Sequence, residues 1–193
     1  MAAAGPMRCF IAIDVTPTIR RKLAEVTLKL RRALRGSRGG IKWVEPDLMH
    51  LTLKFLGDID EATVVTIRGI VDEVAIAHRG FELSVEGVGC FGKPARVVWV
   101  GMNESPALMA LQTDLEGRLV AAGFAAEERL FSAHLTLARI KDPAAGKDVP
   151  GLIEADRNTR FGSFGVDALR VFRSELTPQG PIYTVIHTSK LNA

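Results

Sequence analysis

The sequence predicts an α+β fold: antiparallel sheets lining a central cleft, helices on the outside, and two lobes related by a pseudo-two-fold duplication. Short runs with strand alternation are interleaved with apolar stripes at helical spacing. The string His-Leu-Thr-Leu occurs twice, beginning at His50 and at His134. Each copy follows a helical stripe and precedes further strand-like runs, so the order of elements repeats even where the residues do not. If a two-fold relates the halves, the two strings face each other across a cleft.

The elements follow in order. RCFIAIDV (8–15) is a short apolar strand, ended by Thr16-Pro17, which opens a helix. Ile19, Leu23, Val26, Leu30 and Leu34 form its core stripe, and the GSRGG run at 36–40 breaks it. IKWV (41–44) and MHLTLKFLG (49–57) are strands. Asp60 caps a helix with Val64, Ile67, Val71 and Val74 inward. Residues 81–92 and 95–102 are a strand pair around Gly92-Lys93-Pro94. Ser105-Pro106 starts a helix carrying Leu108, Leu111, Leu115 and Leu119, with Gly123 at its C-terminal end. FSAHLTLARI (131–140) is a strand, DPAAGK (142–147) a surface loop, and a weak helix follows near 149–157. Residues 166–176 and 181–191 close the chain as a hairpin around TPQG.

Composition narrows the classes. The 193 residues suit one domain, with apolar residues at 47% and charged residues at 24%. No apolar run reaches the ~18 residues that a membrane-spanning helix needs. The N-terminus lacks the pattern of a secretory signal, and Met7 offers an alternative start. Cys9 and Cys90 share no metal-type spacing and are expected as reduced thiols in a cytoplasmic protein. The net charge of +3 is small, but Arg20, Arg21, Lys22, Lys29, Arg31, Arg32, Arg35, Arg38 and Lys42 face only Glu25 within one stretch. That segment is either a polyanion-binding surface or a solvated helix face.

On a strand, residues i and i+2 share a face, so His50 stands beside Thr52 and His134 beside Thr136, roughly 6–7 Å apart, with the leucines turned into packing. Imidazole titrates near ~6.5, so one histidine can act as base while the other acts as acid. Threonine hydroxyls can donate to phosphate oxygens. In-line displacement at phosphorus needs these parts, with acid and base on opposite sides. A metal site is the rival reading, but catalytic zinc takes three protein ligands and only two paired histidines are in view. His78 at a helix end and His187 on the last strand are expected to be structural or surface groups.

With these motifs, the sequence resembles the two-histidine phosphoesterase superfamily, and within it the RNA 2′,3′-cyclic phosphodiesterase (ThpR, LigT-like) family. The resemblance rests on RCFIAIDV, KWVEPDLMHLTLKFLG, RVVWVG, FSAHLTLARIK and SELTPQGPIYTVI and covers nearly the whole chain. It implies one domain over residues 1–193, with two intertwined lobes and one motif in each. It also implies metal-independent opening of RNA 2′,3′-cyclic phosphate ends to 2′-phosphates, with no cofactor. His50 would be the acid that protonates O3′, His134 the base that activates water, and Thr52 and Thr136 the groups that hold phosphate oxygens. Arg139, as in many relatives, would pair with the phosphate, although simple alternation turns it away from His134 and only a bulge or strand end would bring it in. Lys54 has the correct parity with His50 and is a comparable candidate. Phe10 and Trp43 are either stacking surfaces for a base or core. The partner would be an RNA end, such as a tRNA fragment, met by a monomer without membrane or metal. The alternatives are 2′–5′ RNA ligation, the reverse chemistry, and a non-catalytic module that binds RNA ends or nucleotides.

Overall fold

The computed structural model describes residues 5–35 and 40–193. The expected break at 36–39, Arg38 and the start at Met1 lie outside the described residues. The elements run β1 (Met7–Asp14), α1 (Pro17–Ala33), β2 (Ile41–Trp43), β3 (His50–Ile59), α2 (Glu61–Ala77), β4 (Phe81–Phe91), β5 (Val97–Met102), α3 (Pro106–Ala121), β6 (His134–Ile140), α4 (Pro143–Ile153), β7 (Arg160–Val166), β8 (Ala168–Thr177) and β9 (Gly180–Lys190). Short 3-10 turns occupy Pro46–Leu48 and Glu154–Asp156.

Two antiparallel sheets result, ordered β3-β1-β8-β9 and β2-β6-β5-β4-β7. Each takes strands from both halves of the chain, and each carries one His-Leu-Thr-Leu strand. β3 pairs antiparallel with β1, and β6 with β5, the strand that precedes it across a helix in each case. The expected helical stripes all reach the core: Ile19, Leu23, Val26, Leu30 and Leu34 of the first helix, then Val64, Ile67, Val71 and Val74, then Leu108, Leu111, Leu115 and Leu119. Asp60 and Ser105 accept hydrogen bonds from Thr63 N and Leu108 N, satisfying helix-end donors. Gly123 takes φ +95° after α3, a conformation that suits glycine.

Leu51, Leu53, Leu135 and Leu137 join the helix stripes in one apolar core. The histidines and threonines between them therefore look away from the helices. On that face of the first sheet Phe10, Ala12 and Phe172 form a separate small cluster with Tyr183 against it.

Two expectations need correcting. DPAAGK is helical rather than a loop: Asp142 caps α4 by accepting from Ala144 N, and Pro143 occupies the first turn. The helix expected near 149–157 therefore starts earlier. Pro150 inside α4 cannot donate to Gly146 O, but that carbonyl accepts from Ala95 N at 3.1 Å instead. A Cβ at position 146 would stand 2.4 Å from Ala95 O, so the close approach requires glycine. Strand β7 went unread because Gly162 and Gly165 interrupt its apolar pattern.

Candidate active site

The two motif strands lie against each other across the two sheets. Their histidines are held alike. His50 Nδ1 is 2.8 Å from Leu48 O, and His134 Nδ1 is 2.7 Å from Ser132 O. A carbonyl can only accept, so Nδ1 carries the proton in each ring and Nε2 is left to meet a ligand. The same local geometry at the start of both strands produces the same tautomer twice.

The surroundings of the rings differ. His50 stacks on Phe10 with centroids 4.6 Å apart and meets Tyr183 edge-on at 5.3 Å. Phe10 also stacks on Phe172 at 5.0 Å, so it serves as the bed of the histidine and is buried there. His134 meets Phe91 edge-on at 5.2 Å and lies 6.4 Å from Trp99. The Trp99 ring occupies a slot over Gly89, where a Cβ would come within 2.3 Å of it. Of these neighbours only Phe10 stood out in the sequence. Phe91, Trp99, Phe172 and Tyr183 carry no local signal that separates them from core aromatics.

Burial pushes the His50 imidazole down to about 4, with the Arg20 and Arg139 charges adding to the effect and the Leu48 carbonyl opposing it. Burial likewise lowers His134, again opposed by its carbonyl partner and assisted by Arg139. Arg139 thus acts on both rings, one from each sheet.

A bulge brings it there. In the β5–β6 pair Trp99 faces Thr136 and Val98 faces Ala138, which leaves Leu137 as the extra residue. Leu137 and Ala138 are consecutively buried, alternation slips by one, and Arg139 emerges on the face of His134 and Thr136. β3 has the same slip: Ala12 faces Thr52, Ile11 faces Lys54, and Leu53 is extra. There it overturns the expectation for Lys54, which turns into the interior at 4% exposure. Its Nζ lies 2.8 Å from Glu116 Oε1, 2.8 Å from Ala125 O and 3.5 Å from Glu127. The cleft face at the corresponding position is taken by exposed Phe55.

A cleft of about 1200 Å³ opens beside these groups, with Arg139, Tyr183, Phe10, Phe55 and Trp43 on its walls. Trp43 is half-buried and carries Arg31 over its ring at 5.6 Å. A smaller recess of about 190 Å³ reaches His50 between Asp14, Arg20 and Tyr183. His78 and His187 lie elsewhere, with Nε2 3.1 Å from Asp114 and 2.8 Å from Asp72, respectively. Cys9 and Cys90 are free, and burial raises both thiols. Among the described residues no three His, Cys, Asp or Glu side chains converge as metal ligands, and no helix is long and apolar enough to cross a membrane.

The model of the LigT-like phosphoesterases matches residues 13–99 and again 100–183, once for each motif. This chain belongs to the LigT-like phosphoesterase family. The two family matches meet within β5, between Trp99 and Val100, and the strands of each half are shared between both sheets. An RNA 2′,3′-cyclic phosphodiesterase of Methanothermobacter thermautotrophicus is 34% identical over 187 residues, 96% of this chain and 99% of that one. One from Archaeoglobus fulgidus is 36% identical over 179 residues, 92% of this chain and 96% of that one. Among solved structures, a Thermus thermophilus protein superposes with a TM-score of 0.78 at 29% identity, covering 96% of this chain and 98% of its own. The expected α+β architecture is therefore that of a LigT-like phosphoesterase, with its two motif strands in contact where the two sheets meet.

Proposed function

We propose that the protein hydrolyses 2′,3′-cyclic phosphate ends of RNA to 2′-phosphomonoesters, with His50 and His134 as general acid and base. The observation that supports this most strongly is the matched pair of imidazoles, each tied through Nδ1 to a carbonyl and each offering Nε2. Binding alone needs no such pair of titratable groups; a displacement with two ends does. The names of the relatives, RNA 2′,3′-cyclic phosphodiesterase, give the substrate class.

In the proposed reaction, His134 Nε2 takes a proton from water as its oxygen bonds to phosphorus. The bond from phosphorus to O3′ breaks in line, and His50 Nε2–H protonates the departing O3′. The product is a 2′-phosphate beside a free 3′-hydroxyl. Thr52 and Thr136 hold the non-bridging oxygens, and Arg139 balances the charge that accumulates on them. His50 is neutral in the free protein at neutral pH because its site is desolvated and flanked by arginines. The negative charge of the bound phosphate raises its proton affinity, so it becomes an acid when substrate arrives.

The test uses a short RNA ending in a 2′,3′-cyclic phosphate, with the product phosphate located. A 2′-phosphate is expected, and His50→Ala or His134→Ala should each lower turnover ~10²–10⁴-fold. Full activity in either variant removes that histidine from the reaction. A 3′-phosphate product reverses the acid and base assignment.

A further inference from the structure

The two motif histidines share a tautomer but not a wall. His50 lies with one ring face on Phe10 at 4.6 Å and meets Tyr183 edge-on at 5.3 Å. His134 has no stacked ring among the described residues, only Phe91 edge-on at 5.2 Å and Trp99 tilted at 6.4 Å. Tyr183 is the single tyrosine of the chain and comes from β9, an edge strand of its sheet. It also meets Phe10 edge-on at 5.1 Å, so its ring touches both the histidine and the bed beneath it. Among the described residues, only Tyr183 and Leu48 line both the large cleft and the smaller recess that reaches His50. Leu48 supplies the carbonyl that orients the imidazole. The two side chains thus form the ridge between the cavities, with His50 set against it. Burial pushes the Tyr183 phenol up, opposed by the Arg139 and Arg8 charges, as expected of a ring held away from water. Charged groups reach His50 from several elements: Asp14 on β1, its cross-strand partner; Arg20 on α1; Asp47 in the turn before β3; Arg139 on β6; and Arg170 on β8, which pairs with Asp14. Both signs are present, so exclusion of water is the largest influence on this ring.

We infer that Tyr183 is a positioning residue for His50: its ring closes the wall between recess and cleft, keeps water from the imidazole and, with the Leu48 carbonyl, fixes where Nε2 points. The inference rests on the proposed function for the role of His50 as acid, and adds the group that prepares it. A solvated imidazole is partly protonated near neutral pH. Behind the Tyr183 ring it stays neutral and oriented until a phosphate arrives. The contacts are made by the ring rather than the hydroxyl, so phenylalanine would serve in its place.

The test titrates both motif histidines by proton NMR in Tyr183→Ala and Tyr183→Phe. Tyr183→Ala is expected to raise the His50 midpoint by about 1 pH unit or more, because water returns to the ring, and to leave His134 unmoved. Tyr183→Phe should keep the wild-type midpoint. With RNA ending in a 2′,3′-cyclic phosphate, Tyr183→Ala should lower kcat by ~10-fold or more with a smaller change in KM, and Tyr183→Phe should restore it. Tyr183→Thr, which keeps strand propensity, repeats the measurements if alanine unfolds the edge strand. An unmoved His50 midpoint, equal movement of both histidines, or a phenylalanine variant that behaves like alanine overturns the role. A raised midpoint with wild-type kcat also overturns it, since the ring would then be structural only. The titration needs no substrate. Wild-type protein that opens no cyclic phosphate is therefore a failure of the proposed function, and the His50 midpoint still decides whether Tyr183 walls off the ring.

Discussion

Arg139 stands on the same face of β6 as His134, an odd number of residues along the strand, because Leu137 is an extra residue in the ladder with β5. From there its charge acts on His134 and on His50 of the other sheet. One guanidinium thus links the two motifs. Arg139→Met is expected to lower kcat/KM by ~10²-fold, the weight of a charge-assisted hydrogen bond to the transition state. The same variant should raise the titration midpoints of both imidazoles, because removing a nearby cation favours the protonated ring. Proton NMR titration of the variant measures this; midpoints that stay put would place Arg139 away from the site.

Both imidazoles are held below the ordinary histidine range, so in the free protein each loses its proton at lower pH than usual. The descending alkaline limb of kcat/KM should therefore lie below about 6.5. The limb of kcat should lie higher, since the bound phosphate raises both groups. A kcat/KM limb well above neutrality would contradict the buried, arginine-flanked setting of the rings.

The same depression couples to folding. An unfolded histidine takes up a proton near ~6.5, while folded His50 stays neutral down to about 4. Stability is fully present above the unfolded value and is lost as pH falls toward the folded one. Between about pH 7 and pH 5, His50→Gln should therefore lose roughly 1–2 kcal/mol less than wild-type protein in urea unfolding. Equal losses would remove His50 as the linked group.

Lys54 ties β3 to the segment that leads into β6. It donates to Ala125 O and to Glu116 Oε1, which also accepts from Glu127 N at 2.8 Å. Lys54→Met strands the Glu116 carboxylate and releases that segment. The expected loss is ~3 kcal/mol, read by urea unfolding, since one partner of a largely buried pair is removed. Unchanged stability would mean that the segment is held by other contacts.

Gly89 makes room for the Trp99 ring beside His134. Gly89→Ala places a methyl where the ring lies and should destabilise the fold by about 1–3 kcal/mol through overpacking. Because the displaced ring neighbours His134, turnover should fall even at temperatures where the variant is folded. A variant with wild-type turnover and stability would show that Trp99 yields without consequence.

The repeated motif and the periodicity of its neighbours were legible because they are local. The face of a strand is set by parity over two residues, and a helix stripe by a period of 3.6. Thus His50, Thr52, His134 and Thr136, the helix stripes and the caps at Asp60 and Ser105 could all be read directly. The reading failed where a distant contact offset a local defect. α4 survives Pro150 because Ala95 supplies the missing donor, and β7 survives its glycines because β4 pairs with it.

The contrast between Lys54 and Arg139 marks the boundary most sharply. By parity Lys54 belongs on the histidine face and Arg139 does not, and the structure reverses both. A bulge is a property of two strands in register, not of either sequence alone. By itself, the sequence determined which chemical groups are present, that they come as two equivalent pairs, and which family they belong to. Only the tertiary structure decided which cation turns toward the histidines, which aromatics bed them, and how far the cleft runs beyond them. Those choices depend on register and packing between segments far apart in the chain, and pairing energies that small are settled only when the sheets assemble.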